Sequence, residues 1–145
     1  MKLFEPIKIG NVELKNRVIM APMENGMAAV GTGEVTDRII AFFEERAQHN
    51  IAMIMPGSIG VSPEGRGLPT QLSLFDEKQV AGHKRLVDAI HSKGSLVAAQ
   101  LYHAGRQASE AITGLDPLAP SAIPCGILQN HPKEITHEQM NRIKE

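Results

Sequence analysis

Three short apolar runs, Arg17–Ala21, Ile51–Met55 and Ser95–Leu101, are separated by stretches with helical periodicity, and this alternation constrains the fold more than any other feature. None of the runs alternates cleanly between apolar and polar residues. A strand wetted on one face would alternate, so these read as strands covered on both faces, the mark of a parallel sheet. The connecting segments supply the covers. Thr36 is placed to cap a helix in which Ile39, Ile40, Phe43 and Ala47 recur at helical spacing, up to about Asn50. Asp76 with Gln79 forms a capping-box pattern that opens a second helix, with Val80, Leu86, Val87 and Ile90 predicted to face inward and Lys93-Gly94 as the stop.

The remaining segments fit around this β-α-β-α-β unit. Ile7–Ile9 and Val12–Leu14 flank Gly10-Asn11, a pair suited to a two-residue hairpin turn. A polar loop carrying Pro63, Gly65, Gly67 and Pro69 follows the second strand. A long irregular stretch with Pro117, Pro120, Pro124 and Pro132 follows the third. Thr136 with Gln139 then caps a last helix bearing Met140 and Ile143. Two architectures accept this order: a small open sheet, or the first part of a (β/α)8 barrel. A complete barrel takes about 250 residues, and the sequence has 145. The expected class is α/β, the N-terminal portion of a (β/α)8 barrel with a hairpin that closes its bottom. Residues 1–145 form one partial domain.

Composition excludes several functions. A net charge of −1 gives no electrostatic case for nucleic acid or an anionic membrane, and 3% aromatic residues with no Trp leave no base-stacking platform. The single Cys125 cannot form an internal disulfide, which suits a reducing compartment. Met1–Pro6 has no apolar signal core and no run approaches the roughly 18 apolar residues of a membrane span, so the expected location is cytoplasmic.

Chemistry gathers just past the strands. Ala21, Pro22, Met23 and Glu24 follow the first, Gly57 and Ser58 the second, and Gln100, His103 and Arg106 the third. Ligands of α/β proteins sit on this edge. Small residues and a proline let a flat ring lie against the backbone. Gln100 donates and accepts at once, which matches the alternating N–H and C=O edge of a pyrimidine-like ring. The clusters point to a planar heterocyclic cofactor. Each residue also has a plainer reading. Pro22 and Gly57 end strands, His103 serves as a structural hydrogen bonder, Arg106 holds a loop carboxylate, and Glu24 is an exposed loop acid.

Other chemistries lack their patterns. The six histidines are scattered, with no His-Glu-x-x-His and no cysteine cluster, so no metal site is expected. Gly31-Thr32-Gly33 lacks both the third glycine and the preceding strand of a dinucleotide fingerprint. Ser58 lacks the framing of a nucleophile elbow.

Leu3–Gly10 followed by Leu14-Lys15-Asn16-Arg17-Val18-Ile19-Met20-Ala21-Pro22-Met23 closely resembles the start of the Old Yellow Enzyme family. This branch includes NADH:flavin oxidoreductases, 2,4-dienoyl-CoA reductase and enoate reductase. Pro63-Glu64-Gly65-Arg66, Gln100–Arg106 and Ala119-Pro120-Ser121-Ala122-Ile123 fall in the family's order and approximate spacing, so the resemblance spans the chain. It implies an FMN-binding barrel that takes hydride from NAD(P)H and delivers it to an activated C=C bond of an enone or enoate. It also implies cofactor contacts at Ala21, Pro22, Met23, Ser58 and Gln100. Where the family often has Thr or Cys after Met23, this chain has Glu24; either its carboxylate turns away or the redox tuning is unusual.

The resemblance puts the family's substrate-anchoring His/Asn pair, its Tyr proton donor and its phosphate site beyond residue 145. No catalytic residue is therefore assigned here. The alternative expectation is a non-catalytic half-barrel module that associates with itself or a partner. An open strand edge and an uncovered apolar face make a homo-oligomer the expected state.

Overall fold

A computed structural model describes residues 1–128 and 130–145. Strands β1 (Ile7–Ile9) and β2 (Val12–Leu14) form an antiparallel hairpin, with Ile9 opposite Val12. Gly10, the first turn residue, has φ +58°. A two-residue turn that follows the twist of its strands requires a positive φ there. Leu14 anchors the hairpin, fully buried, and Asn16 beside it donates its side-chain amide to the Asn50 carbonyl at 2.7 Å.

Strands β3 (Ile19–Met20) and β4 (Met53–Ile54) pair in parallel, and the helix between them, α1 (Asp37–Ala47), is the expected crossover. Thr36 caps α1 by accepting the Ile39 N–H at 3.3 Å while its hydroxyl donates to the Met27 carbonyl at 2.8 Å. Ile39, Phe43 and Ala47 are the buried face of α1. Strand β5 (Ile59–Gly60) continues the second strand beyond Pro56-Gly57, and β6 (Leu72–Ser73) pairs with it in parallel. These two strands lie in what the sequence reads as a polar loop. Each is only two residues long, below the length at which hydrophobic patterning becomes visible.

Helix α2 (Glu77–Ser92) opens with the full capping box, Asp76 accepting from the first turn and Gln79 returning to the Asp76 backbone. Its inward face differs from the expectation at Val80, and Val87 is only half-buried. Val80 is exposed, whereas Gln79, Leu86 and Ile90 are buried. Gln79, His83, Leu86 and Ile90 stand at i, i+4, i+7 and i+11, a single helical stripe, and Val80 lies on its flank.

The third apolar run is not one buried strand. It divides into β7 (Leu96–Val97), paired with β4, and β8 (Leu101–Tyr102), paired with β5. Burial falls along it, from buried Ser95 through half-buried Leu96–Ala98 to Leu101 at 66% exposure. The reason is position. The sheets run β3-β4-β7 and β6-β5-β8, so this run lies at an edge of both, with a neighbour on one side only.

The irregular stretch contains a short helix α3 (Glu110–Thr113) and a parallel pair of β9 (Leu118–Ala119) with β10 (Lys133–Glu134). Helix α4 (His137–Lys144) follows with its Thr136–Gln139 capping box. The described residues are mixed α/β and form no closed barrel. The core lies between the helices and the sheet, built from Ile39, Phe43, Ile54, Ile59, Leu86 and Ile90. No helix among the described residues is long and apolar enough to cross a membrane.

Candidate functional site

The three strand ends meet, and glycine is what lets them. A Cβ on Gly57 would lie 2.9 Å from the Gln100 Cβ and 3.2 Å from the Pro22 Cβ. The first is closer than real Cβ atoms come to other atoms and the second tighter than most such contacts. Pro22, Gly57 and Gln100 therefore form one continuous wall drawn from all three strands, with the peptide between Gly57 and Ser58 in the cis form.

The wall borders a cleft of about 550 Å³. Its polar lining includes Glu24, Ser58, Gln71 and Gln100, and Leu68 and Ile127 supply apolar surface. Ser58, Gln71 and Glu24 are joined in a directed chain. The Gly67 N–H donates to Gln71 Oε1 at 2.8 Å, Gln71 Nε2 donates to Ser58 Oγ at 2.7 Å, and Ser58 Oγ donates to Glu24 Oε2 at 3.2 Å. The other Glu24 oxygen accepts the Gly26 N–H at 3.1 Å. Glu24 thus lines the cleft. Gln71, 1% exposed, fixes the chain. Sequence reasoning passed over it; the available signal was a glutamine directly preceding the apolar Leu72, a polar group that burial obliges to find partners.

Of the residues singled out in the sequence, Ser58 and Gln100 line the cleft and Pro22 backs its wall through Gly57. The Gln100 side chain is exposed, with no hydrogen bond to its amide among the described residues. Ala21 and Met23 lie on the exposed segment after β3, Met23 at 55%, and their side chains are outside the lining.

His103 and Arg106 separate from this cleft. The His103 ring packs on the Gly65 backbone, where a Cβ would come within 2.5 Å of it, and its Nδ1 accepts the Gly105 N–H at 3.0 Å. Burial pushes the His103 imidazolium below its ordinary range; the Glu64 charge opposes this shift and Arg142 adds to it. Glu64, its side chain only 6% exposed, pairs with Arg142 of α4. Arg66, 5% exposed, donates to the carbonyls of Gly31 and Pro69. Pro63–Arg66 and His103 therefore act as a fastening between loops. Cys125 lies on the cleft, and N–H groups of Leu128 and then Ile127 draw its thiol below the usual value. Among the described residues no group of His, Cys, Asp and Glu could hold a metal ion.

The model of the NADH:flavin oxidoreductase / NADH oxidase family matches residues 2–145. The chain belongs to this family. It is 38% identical over 143 residues to an NADH oxidase of Thermoanaerobacter brockii and 40% identical over 142 residues to a metal reductase of Desulforamulus reducens. In each comparison it is matched over 97% of its own length and spans 22% and 21% of those relatives. Among solved structures it superposes on the old yellow enzyme homologue of Zymomonas mobilis with a TM-score of 0.86 at 28% identity, covering 99% of this chain and 42% of that one. It superposes on 2-naphthoyl-CoA reductase in complex with 2-naphthoyl-CoA with a TM-score of 0.90 at 28% identity, over 97% of this chain and 23% of that one. Morphinone reductase in complex with tetrahydroNAD gives 0.87 at 27% identity, over 99% and 43%.

Proposed function

We propose that residues 1–145 are the N-terminal portion of a (β/α)8 barrel and form part of the FMN site of an oxidoreductase that uses NAD(P)H. The observation that carries this reading is the wall where Pro22, Gly57 and Gln100 close on one another beside a cleft. Gly57 lets the three strand ends close into one wall without side-chain clash, and the small residues beside it leave backbone for a flat heterocycle to lie along. The donor set fits too. Gln100 offers an amide with free donor and acceptor atoms, Ser58 a hydroxyl, and Ala21–Met23 an exposed backbone. Bound there, FMN would supply two-electron hydride chemistry between a reduced nicotinamide and the electron-poor C=C bond of an enone or enoate.

This chain's own part is positioning. Gln100 would bind the polar edge of the ring, and the backbone of Ala21, Pro22 and Met23 would lie along it. Ser58, fixed by Gln71, would set the small-residue side, and Leu68 with Ile127 offers apolar surface beside it. The test is anaerobic mixing of the FMN-loaded protein with NADH or NADPH. The flavin absorbance should bleach and recover when an enone is added. A bound flavin that neither nicotinamide reduces would refute the assignment.

A second reading is a non-catalytic module that associates with itself, favoured by the exposed edge that carries Leu101 at 66%. The mass of the natural polypeptide separates the two. A value well above 15.7 kDa supports the enzyme and an equal value the module.

A further inference from the structure

Glu24 is the one formally charged side chain among the described residues that line the cleft. Its neighbours there are amides, hydroxyls, a thiol and aliphatic groups. Arg106 acts on the Cys125 thiol from outside the lining, so no lining cation neutralises the carboxylate. The carboxylate is also held. One oxygen accepts the Gly26 N–H and the other accepts from Ser58 Oγ, which itself accepts from Gln71 Nε2. Gln71 is buried and anchored by the Gly67 N–H, so the chain runs in one direction and ends on Glu24. A carboxylate fixed in an uncharged cleft discriminates by charge. It repels a second carboxylate and favours a neutral or positively charged ring.

We infer that Glu24 is a specificity-determining residue that selects neutral or cationic electron-poor ligands for this cleft and rejects carboxylate-bearing ones. This inference rests on the oxidoreductase reading and narrows it, favouring an uncharged enone over a free enoate as hydride acceptor. It also favours a nicotinamide ring, which gains positive charge as it gives up hydride.

Three planar pyridines of nearly one size test it at pH 7.5 and low salt: nicotinate, nicotinamide and 1-methylnicotinamide, carrying negative, zero and positive charge. Binding is measured by calorimetry on the natural protein with and without flavin, and on the flavin-loaded form also by the shift in flavin absorbance. 1-Methylnicotinamide should bind about tenfold tighter than nicotinate, as expected for one charge acting across a water-lined cleft. Glu24→Gln, whose amide oxygen can still accept from Ser58, should level the series, and Glu24→Asp should keep its order. Equal affinities in the unaltered protein, an unchanged order in Glu24→Gln, or no binding of any of the three would overturn the inference. If the protein takes up no flavin, the cofactor reading fails, while the charge order on the flavin-free protein still decides the role of Glu24.

Discussion

Gly57→Ala puts the convergence of the strand ends to a quantitative test. The added Cβ would stand 2.9 Å from Gln100 Cβ, 3.2 Å from Gln100 Oε1 and 3.2 Å from Pro22 Cβ. Carbons rest about 3.5–4.0 Å apart, so the wall must open by roughly 0.6–1 Å. Gln100 Oε1 can swing aside. Gln100 Cβ and Pro22 Cβ cannot, because one is tied directly to its backbone and the other sits in a ring. The strands themselves must part. Overpacking of this kind costs about 1–3 kcal/mol. At roughly 3 °C per kcal/mol for a domain of this size, Tm should fall by about 3–9 °C. Thermal unfolding followed by circular dichroism reads this directly, with Gly126→Ala as control, since a Cβ there meets nothing within 4 Å. A Gly57→Ala melt that matches the control, with flavin uptake undiminished, would refute the close approach of the three strand ends.

Further expectations follow from the caps, the ion pair and the buried imidazoles. Thr36→Ala removes both the acceptor for the Ile39 N–H and the donor to the Met27 carbonyl, so chemical denaturation should show a loss of about 1–2 kcal/mol. Arg142→Ala leaves the nearly buried Glu64 carboxylate without its partner, a cost of about 1–3 kcal/mol that Glu64→Gln in the same background should partly recover. Burial holds both His83 and His103 below the ordinary imidazole value of 6.5 in the folded protein. The unfolded chain therefore binds more protons just below that pH. Their contribution is full above about pH 6.5 and is lost as pH falls through that value toward the folded one. Denaturation midpoints should decline over that window, and His83→Gln with His103→Gln should flatten the decline.

How much of this was legible in the sequence depends on the range of the interactions involved. Thr36, Asp76 with Gln79 and Thr136 with Gln139 cap the helices as read, because a cap is settled within four residues. The β3-α1-β4-α2-β7 order was likewise visible in the periodicity. Val80 was misjudged because its apolar character alone does not say which stripe of α2 the sheet covers, and the polar Gln79 and His83 complete that stripe. The split of Ser95–Leu101 depends on which strands lie beside it, a property of the sheet and not of the segment. At the site, Gln100 was legible as a donor-acceptor amide just past a strand and Ser58 through the family resemblance, and both line the cleft. Gln71 was signalled only by its place before the apolar Leu72, and its role was not legible, since Ser58 is brought to it by the pairing of β5 with β6.

Gln100 and the strand ends beside it are proposed to hold a flavin. Titration of FMN into the natural protein and into Gln100→Leu, followed by quenching of flavin fluorescence, tests it most directly. Loss of the amide's hydrogen bonds to the ring edge should weaken binding about tenfold while the far-UV spectrum stays unchanged. Equal affinity for the two proteins, or no binding by either, would contradict the claim.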